Sequence, residues 1–168
     1  SSLVYMADAL IKASGHASSG FYLYDHEKLA ATLQQLEASQ QPVLLIGVSF
    51  ALLDFAEAYP QQLKHTVVME TGGMKGRRKE LTREELHGIL KGGLGVDFIH
   101  SEYGMTELLS QAYSKGAGRF YCPPWMKVLV RDEEDPLQLH EAGRGILQVI
   151  DLANVYSCAF IATEDVGM

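Results

Sequence analysis

Three apolar runs of strand length, separated by segments of helix-forming composition, constrain the fold more than any other feature of the chain. They are PVLLIGVS (42–49), HTVVMETGG (65–73) and VDFIHSEY (96–103). Continuous apolar runs of this kind are typical of strands that are buried on both faces of a parallel sheet. The sequence therefore predicts an α/β fold in which helices flank a parallel sheet.

Helical patterns fill most of the sequence between and before these strands. In LTREELHGIL (81–90), Thr82 and Glu85 have the spacing of a capping box, with Leu81 and Leu86 as a hydrophobic staple. The short aromatic segment FYLYD (21–25) predicts a strand. The predicted helices are residues 3–13, His26–Ala38, FALLDFAEAY (50–59), LTREELHGIL and MTELLSQAY (105–113).

From residue 119 the pattern changes to strands alone, separated by turn-rich or charged linkers. We therefore divide the chain into an α/β part (1–118) and a β-rich continuation of the same domain (119–168). The predicted strands of the second part are RFYCPP (119–124), MKVLVRD (126–132), GRGILQVIDL (143–152) and SCAFIATED (157–165).

Composition excludes several classes of function. A net charge of −7 argues against binding to nucleic acid or to an anionic membrane surface, both of which require a basic surface. No apolar run approaches the ~20 residues of a membrane span, and no signal peptide opens the chain. The two cysteines form no CxxC pair, so a cytoplasmic location is expected. The chain stops directly after a strand-like run, which predicts a fragment of a longer protein.

The segment SEYGMTE (101–107) concentrates chemical groups where a strand ends, which is where ligands bind in open parallel sheets. Gly104 permits a sharp turn and a close ligand. A hydroxyl such as Thr106 at a helix N-terminus suits a phosphate, and Glu107 offers a hard oxygen ligand for Mg²⁺. Tyr103 offers a flat face for a base, so the combination indicates a nucleotide site.

Structural explanations stand beside this one. Thr106 and Glu107 are also what a plain helix cap would use, and Gly72 with Gly73 also suits an ordinary turn. Four basic residues gather in the loop at 75–79, which suits either phosphate binding or a solvated surface: Lys75, Arg77, Arg78 and Lys79.

Two further side chains have a functional and a structural interpretation. His100 adjoins SEYGMTE and suits either acid–base work or a structural hydrogen bond. Cys158 is expected to be a small buried apolar residue rather than a nucleophile.

Three segments in order resemble motifs of the adenylate-forming superfamily, which includes acyl-CoA synthetases, luciferases and the adenylation domains of peptide synthetases. YGMTE (103–107) looks like its (Y/F)GxTE motif, and METGGMKG (69–76) resembles its adenine loop. The segment 145–167 resembles its stretch from the G-x-L strand to the T-G-D motif. Within the superfamily, the sequence of these segments is most similar to LuxE-like acyl-protein synthetases, with the phenylacetate-CoA ligase branch next. The resemblance covers about residues 40–168.

The resemblance implies ATP and Mg²⁺ as cofactors and a role for each matching residue. Thr106 would hold the α-phosphate and Glu107 would bind Mg²⁺, so these two are the implied catalytic residues. Asp165 would bind the ribose hydroxyls. The implied nucleotide-binding residues are Gly72, Gly73, Tyr103, Gly104, Met105, Thr106 and Asp165, with the glycines along the adenine and the tyrosine stacked on it. The implied reaction activates a carboxylic acid, expected to be a fatty acid, as acyl-AMP and transfers it to a thiol of a protein cysteine or CoA.

The sequence also departs from the superfamily pattern. Glu164 replaces the glycine of T-G-D, the S-G-T-T-G phosphate loop has no counterpart, and the small C-terminal domain with its catalytic lysine is missing. The resemblance therefore implies a fragment of the large domain that is inactive alone. Two alternatives stay open: an aryl- or acyl-CoA ligase of the phenylacetate branch, and a non-catalytic nucleotide-binding or interaction module.

Overall fold

The computed structural model describes residues 2–72, 81–135 and 137–168, and its chain forms two compact units. The first unit comprises Ser1–Glu102 and Ser114–Arg119, and the second comprises Tyr103–Tyr113 and Phe120–Met168. The predicted division after residue 118 stays a prediction.

The first unit contains the helices and the parallel strands that the apolar runs predict. Three strands lie in the order β1-β2-β3, and each adjacent pair is parallel. The elements are α1 (Ser2–Ser14), α2 (His26–Ala38), β1 (Val43–Val48), α3 (Ser49–Ala58), β2 (Thr66–Thr71), α4 (Arg83–Leu94) and β3 (Ile99–Tyr103), whose last residue opens the second unit. This arrangement confirms the α/β class with a parallel sheet.

The core of the first unit lies between the sheet and its helices. Leu45, Val68 and Ile99 of the three strands pack with leucines of α3 and α4 and with Leu33 of α2. The helix α4 begins with the predicted capping box, because Thr82 accepts from the Glu85 N–H and the Glu85 carboxylate accepts from the Thr82 N–H. It ends at Gly95, whose φ of 64° is the left-handed conformation that closes many helices.

The second unit is built on an antiparallel sheet with the strand order β7-β6-β8-β9. Its small core consists of Leu108, Met126 and Val149, against which Tyr103 and Met105 pack. The later strands of the chain are β4 (Ala112–Ser114), β5 (Phe120–Tyr121), β6 (Met126–Arg131), β7 (Leu139–His140), β8 (Gly145–Asp151) and β9 (Phe160–Gly167). A single 3₁₀ turn, Leu152–Asn154, follows β8.

The predicted helix over MTELLSQAY is wrong. Residues 104–111 form turns and irregular backbone, and β4 begins at Ala112. The physical reason is a buried carboxylate: Asp151 accepts hydrogen bonds from the backbone N–H groups of Leu109 and Ser110. Those N–H groups are satisfied without the i−4 carbonyls of a helix, so the helical propensity of the segment is overridden.

Two smaller predictions are also wrong. FYLYD is a turn rather than a strand, in which Tyr24 is 96% exposed and the Asp25 N–H donates to the Tyr22 carbonyl. Asp25 instead caps α2.

Cys158 is exposed and precedes β9, and its thiol lies 3.1 Å from the Phe160 carbonyl oxygen. The described residues contain no helix with the length and apolar character needed to cross a membrane.

Candidate functional site

The YGMTE segment leaves the end of β3 and runs over the surface of the second unit. Gly104, Thr106 and Glu107 are exposed, whereas Met105 is partly buried against the core of this unit. Because no helix begins here, Thr106 lacks the helix N-terminus that the sequence predicts. What remains for a phosphate at Thr106 is its hydroxyl and the backbone of an open loop.

Tyr103 and Asp165, which are 62 residues apart in the chain, are joined by a hydrogen bond. The Tyr103 hydroxyl donates to Asp165 Oδ2 over 2.7 Å. The Tyr103 ring also packs edge-on against Phe120, with ring centroids 6.1 Å apart and planes at 70°. Burial, together with the hydrogen bond to Asp165 and its charge, raises the pKa of Tyr103 well above its usual value, so the hydroxyl stays protonated as a donor.

An irregularity in β9 directs Asp165 toward the tyrosine. Ile146 pairs with Val166 and Gln148 pairs with Ala162, so the three residues 163–165 oppose Leu147 alone. Such bulges often redirect a side chain. Thr163 stabilises the bulge, because its hydroxyl donates to the Leu147 carbonyl at 2.8 Å and accepts from the Asp165 N–H at 3.1 Å.

The bulge also bears on Glu164, which stands where the superfamily motif has glycine. Among the described residues, the non-glycine residues with positive φ are Gln40 and Ala117. Glu164 therefore has a backbone conformation that any residue adopts, and its side chain is exposed. The bulge forms without the conformational freedom of glycine.

Asp151 and Asn154 hold the loop that follows YGMTE, although sequence reasoning assigned them no role beyond their place in a matching segment. Asp151, at the end of β8, accepts from the N–H groups of Leu109 and Ser110. Asn154 donates through Nδ2 to the carbonyl of Glu107 at 2.7 Å. The available signal was an aspartate that closes an apolar strand, with an asparagine three residues later.

Gly72 directly follows Thr71, the last residue of β2. Gly72 has a φ of 36°, and a Cβ built on it would meet no atom of the described residues within 4 Å. Gly73 and the basic cluster at 75–79 lie outside the described residues. Their predicted contacts with adenine and with phosphates stay predictions.

A buried polar cluster lies at the carboxyl ends of the parallel strands of the first unit. Ser49 donates to Glu70 Oε2 at 3.0 Å, and His87 Nε2 lies 3.7 Å from Glu70 Oε1 and 3.4 Å from the Ser101 hydroxyl. Burial lowers the pKa of His87, and it does so against the opposing charge of Glu70. Burial and the charge of Glu70 raise the pKa of Glu102.

The implied Mg²⁺ fits an exposed carboxylate better than a protein cage. Among the described residues, no group of three or more His, Cys, Asp or Glu side chains is arranged to hold a metal ion. Mg²⁺ commonly keeps several waters and binds through one or two carboxylates and substrate phosphates. The exposed Glu107 carboxylate suits that mode.

Comparison with solved structures defines the fold. The chain is similar to apo MatB from Rhodopseudomonas palustris with a TM-score of 0.55, over 86% of this chain and 31% of that one, at 17% sequence identity. The mixed α/β fold with a parallel sheet therefore matches the fold of part of the MatB chain.

Comparison with curated proteins gives a relative by sequence. The chain is 23% identical over 154 residues to the long-chain-fatty-acid--luciferin-component ligase of Aliivibrio fischeri. The match covers 86% of this chain and 41% of the relative, so the chain spans less than half of that protein. No family model matches the chain. The two likenesses support the resemblance to the adenylate-forming superfamily.

Proposed function

We propose that this chain is the nucleotide-binding part of an adenylate-forming ligase, which activates a carboxylic acid with ATP and transfers the acyl group to a thiol. The observation that carries the proposal is the hydrogen bond between Tyr103 and Asp165. The motif resemblance assigned these two residues to the adenine and the ribose of one nucleotide. Their contact, between residues 62 positions apart in the sequence, supports a shared adenosine site.

The motif resemblance supplies the proposed roles, and the hydrogen bond between Tyr103 and Asp165 supports two of them. The Tyr103 hydroxyl is held by Asp165, and the ring is proposed to offer a face to adenine. Asp165 uses Oδ2 for the tyrosine and keeps Oδ1 for a ribose hydroxyl, because a carboxylate has acceptor sites on both oxygens. Thr106 would donate its hydroxyl to the α-phosphate, and Glu107 would bind Mg²⁺.

The reaction places specific demands on these residues. A carboxylate oxygen of the acid attacks the α-phosphorus of ATP. The bond between the α-phosphorus and the oxygen that bridges it to the β-phosphorus breaks, and pyrophosphate leaves. The protein supplies in-line positioning and donors for the developing charge, which are the main sources of rate in such transfers. When bound, Mg²⁺ neutralises charge on the phosphates. A thiolate then attacks the acyl-AMP carbonyl and releases AMP.

The acid is proposed to be a fatty acid and the acceptor a protein cysteine or CoA. Support for the acid comes from the name of the Aliivibrio fischeri ligase, which specifies long-chain fatty acids for that protein. The acyl pocket and the acceptor site would involve parts of a longer protein, since the chain spans 41% of that relative.

Acid-dependent exchange of pyrophosphate into ATP tests the proposal. The full-length protein is assayed with Mg²⁺ and a panel of acids from acetate to long-chain fatty acids and arylacetates. We expect exchange with fatty acids and its loss in Glu107→Ala, while Glu164→Ala, which alters an exposed neighbouring carboxylate, keeps it. Absence of exchange with every acid in a folded protein would contradict the enzyme proposal and favour a non-catalytic nucleotide-binding module.

A further inference from the structure

Asp151 is a buried carboxylate whose hydrogen bonds lead to the loop after YGMTE. Its side chain has no solvent exposure. Oδ2 accepts from the N–H groups of Leu109 at 3.0 Å and Ser110 at 2.9 Å. Oδ1 accepts from the Ser110 hydroxyl at 2.6 Å and the Ala153 N–H at 3.1 Å. Since a buried carboxylate is unstable without such donors, the position of the loop and the charge of Asp151 depend on each other.

Asn154 also binds this loop, at the carbonyl of Glu107. This side chain is also buried, and Nδ2 donates to the Glu107 carbonyl at 2.7 Å and to the Cys158 carbonyl at 2.9 Å. Trp125 adds a third connection, because its indole N–H donates to the Ser110 hydroxyl at 2.9 Å. The backbone from Glu107 to Ser110 is thus bound to side chains rather than to a helix or a sheet ladder.

These connections determine where the loop points. Residues 104–107 lie between Tyr103, which is fixed by Asp165, and residues 107–110, which are fixed by Asp151 and Asn154. We propose that Asp151 and Asn154 are positioning residues of the nucleotide site, which set the direction of Thr106 and Glu107 toward the phosphates and Mg²⁺. This inference rests on the proposed function and deepens it.

The test separates positioning from general stability. The full-length protein is compared with Asp151→Asn, which keeps the shape but loses the charge and one acceptor oxygen, and with Asn154→Leu. The control is Val130→Ala, which opens a small cavity on β6, where Val130 is opposite Leu147 and not Asp151. Urea midpoints identify conditions in which all variants are folded.

Two readouts are then measured in those conditions. Hydrogen–deuterium exchange of the peptide 104–113 reports the Leu109 and Ser110 amides without any assay of activity. Pyrophosphate exchange is measured as a function of ATP and Mg²⁺ concentration. We expect about tenfold faster amide exchange and an about tenfold higher half-saturating Mg²⁺ concentration in both loop variants, and neither change in Val130→Ala.

A double variant identifies the residue through which Asp151 acts. Because Glu107→Ala is expected to abolish pyrophosphate exchange, ATP affinity in the presence of Mg²⁺ is measured by calorimetric titration: if Asp151 acts through Glu107, Asp151→Asn causes no further loss of affinity when Glu107→Ala is already present, whereas a general effect would add to it. Wild-type Mg²⁺ dependence and amide exchange in folded Asp151→Asn would overturn the inference. Absence of pyrophosphate exchange in the wild-type protein would overturn the proposed function itself. The hydrogen–deuterium exchange of the peptide 104–113 would then still report whether Asp151 holds the loop.

Discussion

At the scale of single residues, the Tyr103 side chain has two separable parts. The ring provides a face for a base, while the hydroxyl donates to Asp165 and fixes the ring. We expect Tyr103→Phe to weaken ATP binding by at least about tenfold, since a hydrogen bond to a charged group is worth roughly 1.5–3 kcal/mol. Tyr103→Ala should weaken it further, because stacking is lost too. Calorimetric titration of the full-length protein checks this order, and equal losses in the two variants would contradict a stacking role.

His87 gives a residue-scale expectation for pH. Burial lowers its pKa, with Arg83 and Lys91 acting in the same direction and Glu70 against it. Because the unfolded histidine titrates near about 6.5, the unfolded state takes up its proton first as the pH falls. The contribution of His87 to stability therefore declines as the pH falls through about 6.5 toward its lowered folded pKa.

The measurement is the urea midpoint between pH 7.5 and 5.5 for the full-length protein and for His87→Gln. We expect the variant to show a flatter decline, because glutamine does not titrate. His16→Gln, which changes an exposed histidine of the same unit, is the control and should leave the slope unchanged. Identical slopes for His87→Gln and the wild type would contradict the assignment.

At the scale of elements, the start of α4 is fixed by local chemistry. Thr82 caps the helix, since its hydroxyl accepts from the Glu85 N–H at 3.2 Å. We expect Thr82→Ala to lower the free energy of unfolding by about 1 kcal/mol and Thr82→Ser to retain most of it, because serine caps equally well. Urea denaturation of the full-length protein provides the values, and an unchanged midpoint in Thr82→Ala would show that the helix start does not depend on this cap.

The elements that could be predicted from the sequence are those whose signals are local. The strands β1, β2 and β3 and the helices α2 and α4 follow from patterns contained in their own residues, namely apolar runs, helix formers and a capping box. The helix prediction for MTELLSQAY was wrong because the decisive group, Asp151, lies about 40 residues away in the sequence. No local pattern reveals that Asp151 will accept the Leu109 N–H. The prediction that Tyr103 and Asp165 share a site depended on the motif resemblance, since the sequence around neither residue points to the other.

At the scale of the whole molecule, the chain matches part of the length of two longer proteins. It spans 41% of the Aliivibrio fischeri ligase and 31% of the MatB chain. The motif comparison predicts that these 168 residues lack the phosphate loop and the catalytic lysine of the superfamily pattern. We therefore expect the 168-residue chain by itself to show no acid-dependent pyrophosphate exchange under conditions in which the full-length protein shows it. Exchange by the isolated chain at the full-length rate would contradict this expectation.

Discrimination between ATP and 2′,3′-dideoxy-ATP tests the central claim most directly. If Asp165 accepts hydrogen bonds from the ribose hydroxyls, the full-length protein should bind ATP at least about tenfold more tightly than the dideoxy analogue. Asp165→Ala should bind the two nucleotides equally, whereas Glu164→Ala should keep the preference. Equal binding of both nucleotides by the wild type, or an unchanged preference in Asp165→Ala, would contradict an adenosine site at Tyr103 and Asp165.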